Sequence, residues 1–199
     1  MTTPLSEILE EILQYSSIET KENLRAGLSQ GQLEEILKDF PFYLPKEVME
    51  LYQWHDGTEV DHYGDCQLFH YHTFLPIKYA LNVRESFLPT EKDDYSYFQP
   101  ELLPLFEFEG EFYCTQYSKE SSETAPVWFI YHDDSVVYDS LTTMLQSILE
   151  CYKTGAYLLN EDEEIVDEQR VADIKLKWNH IRKDTYDNCK MRGELYYHP

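Results

Sequence analysis

Residues 105–114 read LFEFEGEFYC, and this alternation limits the folds open to the chain more than any other stretch. Side chains on a β-strand alternate between two faces, so the spacing predicts that Phe106 and Phe108 point one way and Glu107 and Glu109 the other. Gly110 then marks a turn or a bulge, and Phe112 and Cys114 resume an inward face. A second strand pair follows in VWFIYHDDSVVYDS (127–140), with His132-Asp133-Asp134-Ser135 as its turn. A shorter strand is expected around Leu68–Tyr71. Strands this short and sequential favour antiparallel pairing.

Helical periodicity surrounds these strands. Leu5, Ile8, Leu9, Ile12 and Leu13 form one apolar stripe, with Thr3 expected to cap it and Pro4 in the first turn. Ser29 and Gln32 fit a capping box ahead of Leu33, Ile36, Leu37 and Phe40, and Pro41 helps to end that helix. In LPKEVMELYQWHDGTE (44–59), Pro45 starts a helix whose Val48, Leu51, Tyr52 and Trp54 face inward. Residues 76–87 read as helical, and the polar, Pro-bounded stretch 89–100 as a loop. Ser140 caps a helix with Leu141, Met144, Leu145, Ile148, Leu149 and Tyr152 on its buried face, and Gly155 is placed to end it. Residues 160–183 begin acidic and end basic, which suits a helix dipole, and Val171, Ile174, Trp178 and Ile181 have helical spacing. The sum is one α+β domain over residues 1–199.

Charge narrows the range of partners. Thirty-eight acidic residues against sixteen basic ones give −22. Such a surface repels phosphate backbones and anionic lipid, so neither direct nucleic-acid binding nor membrane association is expected. A basic protein partner is the natural complement; plain solubility explains the same charge. Cys66, Cys114, Cys151 and Cys189 form no CxxC pair, and widely spaced thiols of this kind are expected to be reduced. The N-terminus lacks the features of a signal peptide, and no segment approaches the ~20 apolar residues of a membrane span. The expectation is a cytoplasmic protein.

The tempting site for chemistry is WHDGTEVDHYGDCQLFHYH (54–72), which gathers His55, Asp56, Glu59, Asp61, His62, Asp65, Cys66, His70 and His72. It matches no zinc spacing, HExxH motif or calcium-loop ladder. His70 and His72 would share one strand face, either as two metal ligands or as a polar face. Cys66 reads as a small buried hydrophobe. There is no GxSxG elbow and no Gly-rich phosphate loop, so neither catalysis nor a cofactor is expected. The acidic residues Glu107, Glu109 and Glu111, with Asp133 and Asp134 on the next turn, read either as a solvated sheet edge or as contacts for a basic partner.

The order of these motifs resembles the SUKH superfamily of fungal cell-wall synthesis regulators and bacterial toxin-immunity proteins. The resemblance covers about residues 27–155. It runs through Leu44, Pro45, Tyr52, Trp54, Asp56 and Gly57, then the Phe106–Gly110–Tyr113 hairpin, the strand Pro126–Tyr131 and the helix from Ser140–Leu141 to Leu149. The first helix and a C-terminal helical extension, about 161–183, lie outside it. The resemblance implies an α+β fold with a curved, mostly antiparallel sheet packed with several helices. It implies binding rather than catalysis, and bacterial members are commonly inhibitors of toxins, often nucleases. In that setting Trp54 is expected to be a core anchor and Asp56-Gly57 a helix stop, with Gly57 left-handed.

Overall fold

A computed structural model describes residues 3–59, 66–88, 101–131, 134–159 and 164–180. The chain opens with α1 (Leu5–Leu13), α2 (Ile18–Asn23), β1 (Leu24–Ala26), α3 (Gln30–Ile36), α4 (Lys46–Trp54) and β2 (His55–Thr58). It continues with β3 (Gln67–Phe69), β4 (His72–Phe74), α5 (Ile77–Phe87), β5 (Leu102–Phe108), β6 (Glu111–Gln116), β7 (Val127–Ile130) and β8 (Asp134–Tyr138). Then come α6 (Leu141–Thr154), β9 (Tyr157–Leu159), β10 (Glu164–Val166) and α7 (Glu168–Trp178). Strands β3 to β8 form a six-stranded sheet in sequence order, antiparallel throughout. The pairs β1–β2 and β9–β10 form separate two-stranded ribbons. The fold is α+β.

One sheet face carries the main core. Phe74, Phe106, Tyr113 and Phe129 lie opposite one another across four strands and are all buried. Against them pack Leu5, Ile8, Leu9 and Ile12 of α1, Val48, Leu51 and Tyr52 of α4, and the apolar stripe of α6. The opposite face holds a smaller cluster of Leu102, Phe112, Cys114 and Ile130, joined by Trp128 and by Val83 of α5. Strand β5 is therefore buried on both sides over most of its length. A register shift between Pro104 and Phe106 lets the consecutive Leu105 and Phe106 both enter the main core.

Local signals behave unevenly. The Ser29–Gln32 and Ser140–Thr143 capping boxes both form, and Gly155 ends α6 in the left-handed conformation at φ 70°. Thr3 does not cap α1, because Pro4 occupies the N-cap position and no side chain accepts there. Helix α3 stops at Ile36, short of Leu37 and Phe40. The acidic C-terminal segment is not one helix. Glu164–Val166 pair with Tyr157–Leu159 as a ribbon, and α7 starts only where the Asp167 carboxylate accepts from the Arg170 amide, 3.1 Å away. The stretch 89–100, the residues 60–65 that include Asp61, His62 and Asp65, the turn residues His132 and Asp133, and residues 181–199 with Ile181 and Cys189 lie outside the described residues.

Candidate protein-binding surface

The segment 44–59 is a clasp that ties α4 to α6, α1 and α5. Leu44 is buried, and Pro45 precedes the first turn of α4. In the first turn of α4, the buried Glu47 carboxylate reaches the N-terminus of α6. Its oxygens accept from the amides of Leu141 (3.1 Å), Thr142 (2.9 Å) and Ala125 (3.2 Å) and from the Thr142 hydroxyl (2.9 Å). Burial pushes its pKa up, while these donors pull it down. A carboxylate on the amides that open a helix is also favoured by the helix dipole.

The fully buried aromatic of α4 is Tyr52, and Trp54 packs against the same core from a less buried position. Tyr52 is fully buried and its hydroxyl donates to the Leu75 carbonyl at 3.3 Å. Trp54 is half-buried, and its indole N–H donates to Glu10 at 2.7 Å, tying α4 to α1. Nor is Asp56-Gly57 the helix stop. His55 is already extended (φ −148°, ψ 150°), and its Nδ1–H donates to the Arg25 carbonyl at 2.6 Å. Asp56 and Gly57 together face Arg25 alone, because Leu24 pairs with Thr58 and Ala26 with His55. This is a bulge. It aims the buried Asp56 carboxylate at the Ile77 amide, 2.9 Å away, at the start of α5. Arg25 Nε stands 3.3 Å from the same carboxylate, close enough for charge attraction but not aligned as a hydrogen bond. Gly57 is left-handed at φ 70°, and a Cβ there would stand 2.2 Å from the Pro76 nitrogen.

The histidines do not make a metal pair. His70 and Tyr71 form the two-residue turn between β3 and β4, with φ of 34° and 64°, so His70 and His72 share no strand face. His72 is buried. Its Nδ1–H donates to the His70 carbonyl at 2.7 Å, which leaves Nε2 as a buried lone pair with no hydrogen-bond partner. Burial lowers its pKa to about 4. Among the described residues, no group of His, Cys, Asp or Glu side chains is placed to hold a metal ion. The thiols of Cys66, Cys114 and Cys151 are buried and form no disulfide among the described residues, and burial pushes Cys151 up to about 12.

The acidic row divides in space. Glu109 (φ 46°) and Gly110 (φ 89°) are the central residues of a two-residue turn with both φ positive, as the twist of a hairpin prefers. Glu107 accepts from the Gly110 amide at 3.0 Å. Residues directly opposite across a ladder share a face. Glu107 lies in register with Thr73 and Phe112, whereas Glu111 lies opposite Phe108, so Glu107 and Glu111 belong to opposite faces and Glu109 sits exposed on the tip between them. Strand alternation restarts when the chain reverses. The backbone of Asp134 pairs with Ile130 at the start of β8, and Asp133 falls outside the described residues.

Around this tip runs a chain of aromatic rings that the sequence reading missed. Tyr15 stacks on Tyr152 (centroids 4.8 Å apart), Tyr152 meets Tyr157 edge-on (5.3 Å), and His70 stacks on Tyr157 (4.7 Å). Tyr71 then stacks on Phe108 at 5.3 Å. These residues come from α1's end, α6, β9 and two hairpins, so no local pattern announces them.

Among the described residues no helix is long and apolar enough to cross a membrane. A search of curated proteins finds no match to the chain. A family model described as SMI1 / KNR4 family (SUKH-1) matches residues 27–147. That span takes in α3 to β8 and the first half of α6, including the clasp and the β3–β4 and β5–β6 hairpins, and leaves out α1, α2, β1, the β9–β10 ribbon and α7. With more than half of its 199 residues inside the match, the chain belongs to the SMI1 / KNR4 family (SUKH-1).

Proposed function

We propose that this chain is a non-catalytic protein-binding module of the cytoplasm, an immunity protein that neutralises a basic toxin domain by covering its active groove. The family match over residues 27–147 carries the reading, because the resemblance implies binding rather than chemistry and toxin inhibition as a common role. The charge of −22 supports a basic partner: opposite potentials steer the encounter, and carboxylates can stand where a nuclease substrate's phosphates would. The buried, hydrogen-bonded positions of Glu47 and Asp56 fit structural work and leave the exposed carboxylates for a partner.

The test is affinity capture of the protein with the products of its neighbouring genes, eluted in salt steps and identified by mass spectrometry. A basic toxin domain held at low salt, followed by protection of cells that express it, is the expected result. Capture of an endogenous signalling or wall-synthesis protein, with no toxin encoded nearby, would replace immunity with a regulatory scaffold.

A further inference from the structure

Residues 168–178, EQRVADIKLKW, make a helix with little to bury. Of the 11 residues of α7 only Val171, Ile174 and Lys175 are buried, and Lys175 carries a charge. A helix this short is marginal in water unless packing holds it. What holds its C-terminal end is polar. Lys177 places its ammonium on both Glu150 oxygens (2.8 and 2.7 Å), and the Trp178 indole N–H donates to the same carboxylate at 2.6 Å. Just beyond the helix, the Asn179 side chain donates to the Ser147 hydroxyl at 3.2 Å and accepts from the Asp139 amide at 3.1 Å, and the His180 amide donates to the Asp139 carboxylate at 2.8 Å. The chain has finished its six-stranded sheet at β8 before it reaches α7, which follows the separate β9–β10 ribbon.

Ser147, Glu150, Cys151 and Thr154 are spaced i, i+3, i+4 and i+7, so they share one face of α6. Trp178 and Asn179 hold Glu150 and Ser147, so this is the face that α7 covers. Cys151, 1% exposed, lies within it. Burial raises its thiol against the pull of Lys175 and Arg170, both on α7. An element with few buried apolar groups, attached through side-chain charge, opens at less cost than the whole fold. We propose that α7 is a strap latched at Glu150, which opens as a unit while the sheet stays folded and so gates the outer face of α6. Salt separates this opening from global unfolding. It screens the repulsion among the excess carboxylates of a chain at −22, which favours the fold, yet it weakens the Lys177–Glu150 pair that latches the strap.

The test labels the thiols of the full-length native chain with iodoacetamide, an uncharged reagent whose encounter salt does not steer, and resolves each cysteine by peptide mass spectrometry. Cys114 is the reference: it is fully buried in the sheet, so its labelling reports global unfolding. Cys151 is expected to react at least about tenfold faster than Cys114, with a shallow dependence on low urea because an opening strap exposes little surface. Raising sodium chloride from ~0.01 M to ~0.3 M should speed Cys151 severalfold and slow Cys114. Glu150→Gln should speed Cys151 severalfold and leave Cys114 within about twofold of its parent rate. The amides of residues 171–178 should exchange with solvent together, ahead of those of residues 145–151. Equal rates or equal urea slopes for the two thiols would overturn the inference, and so would salt slowing both. Exchange of the α6 amides in step with Cys151 labelling would assign the exposure to fraying of α6 and overturn it too. An equal acceleration of both thiols in Glu150→Gln would make Glu150 a support of the whole fold instead of a latch.

Discussion

Gly57 and Gly110 separate two reasons for needing glycine. Both have positive φ, 70° and 89°, but a Cβ on Gly57 would stand 2.2 Å from the Pro76 nitrogen whereas one on Gly110 would meet nothing within 4 Å. Gly110→Ala should therefore cost only the left-handed penalty, about 1 kcal/mol. Gly57→Ala adds a backbone collision that no rotamer can relieve, and should cost about 3 kcal/mol. Urea unfolding of the two variants checks this, and equal losses would remove the close approach from the account. His72 supplies a pH effect whose sign follows from its burial. Its pKa falls from 6.5 to about 4 in the fold. The unfolded chain then takes a proton that the folded chain refuses, so stability is full above pH ~6.5 and drains as pH falls toward 4. Between pH 7 and 5 this residue should account for about 2 kcal/mol of lost stability. The pH 7-to-5 loss in His72→Gln should be smaller by that amount; a loss as large as the parent's would mean that other groups carry the dependence.

Among the elements, α6 shows what a sequence can and cannot reveal. Its start at Ser140, its buried stripe and its end at Gly155 are all local, and each was readable within a few residues. The carboxylate that completes its N-terminus comes from Glu47, 94 and 95 residues earlier in the chain, and nothing near Glu47 marks it as different from the exposed acids around it. Removing it should be costly. Glu47→Ala would strip acceptors from three amides and a hydroxyl at once, a loss of about 3 kcal/mol in urea unfolding, whereas Glu123→Ala, which breaks only an exposed ion pair with Lys46, should change stability little. Comparable losses in the two variants would demote Glu47 to a surface acid. The same limit governed the hairpins. The alternation of Phe106, Glu107 and Phe108 was legible, and so was a turn at Gly110, but Glu111 resumes on the far side of the reversal and so leaves Glu107's face. His70-Tyr71 reads as strand because neither residue is a usual turn former; rings from α6, β9 and β5 hold the turn in place, and each comes from a distant part of the chain. Residues 44–59 read in sequence as architecture with a helix cap at Gly57, and the structure has a bulge there instead, since both demand a left-handed glycine.

At the scale of the whole molecule, charge is the one property the sequence discloses completely, and it makes salt act in opposite directions on folding and binding. Sixteen basic residues can pair one-to-one with at most sixteen of the thirty-eight acids, so twenty-two carboxylates in excess must repel one another in the compact state. The ion pairs at Arg25–Glu59, Lys38–Glu35 and Lys177–Glu150 each join at least one well-exposed side chain, and such pairs contribute little. Repulsion therefore outweighs them, and added salt screens mainly repulsion. The urea midpoint at pH 7 should rise between ~0.01 M and ~0.3 M sodium chloride, by the equivalent of at least about 1 kcal/mol. Urea is the right denaturant because guanidinium chloride would itself supply the screening. Over the same range, association with a basic partner should slow, because the field that strains the fold is the one that steers the encounter. A fall in the midpoint with salt would mean that the ion pairs dominate after all, and it would weaken the case for a surface held acidic at the expense of stability.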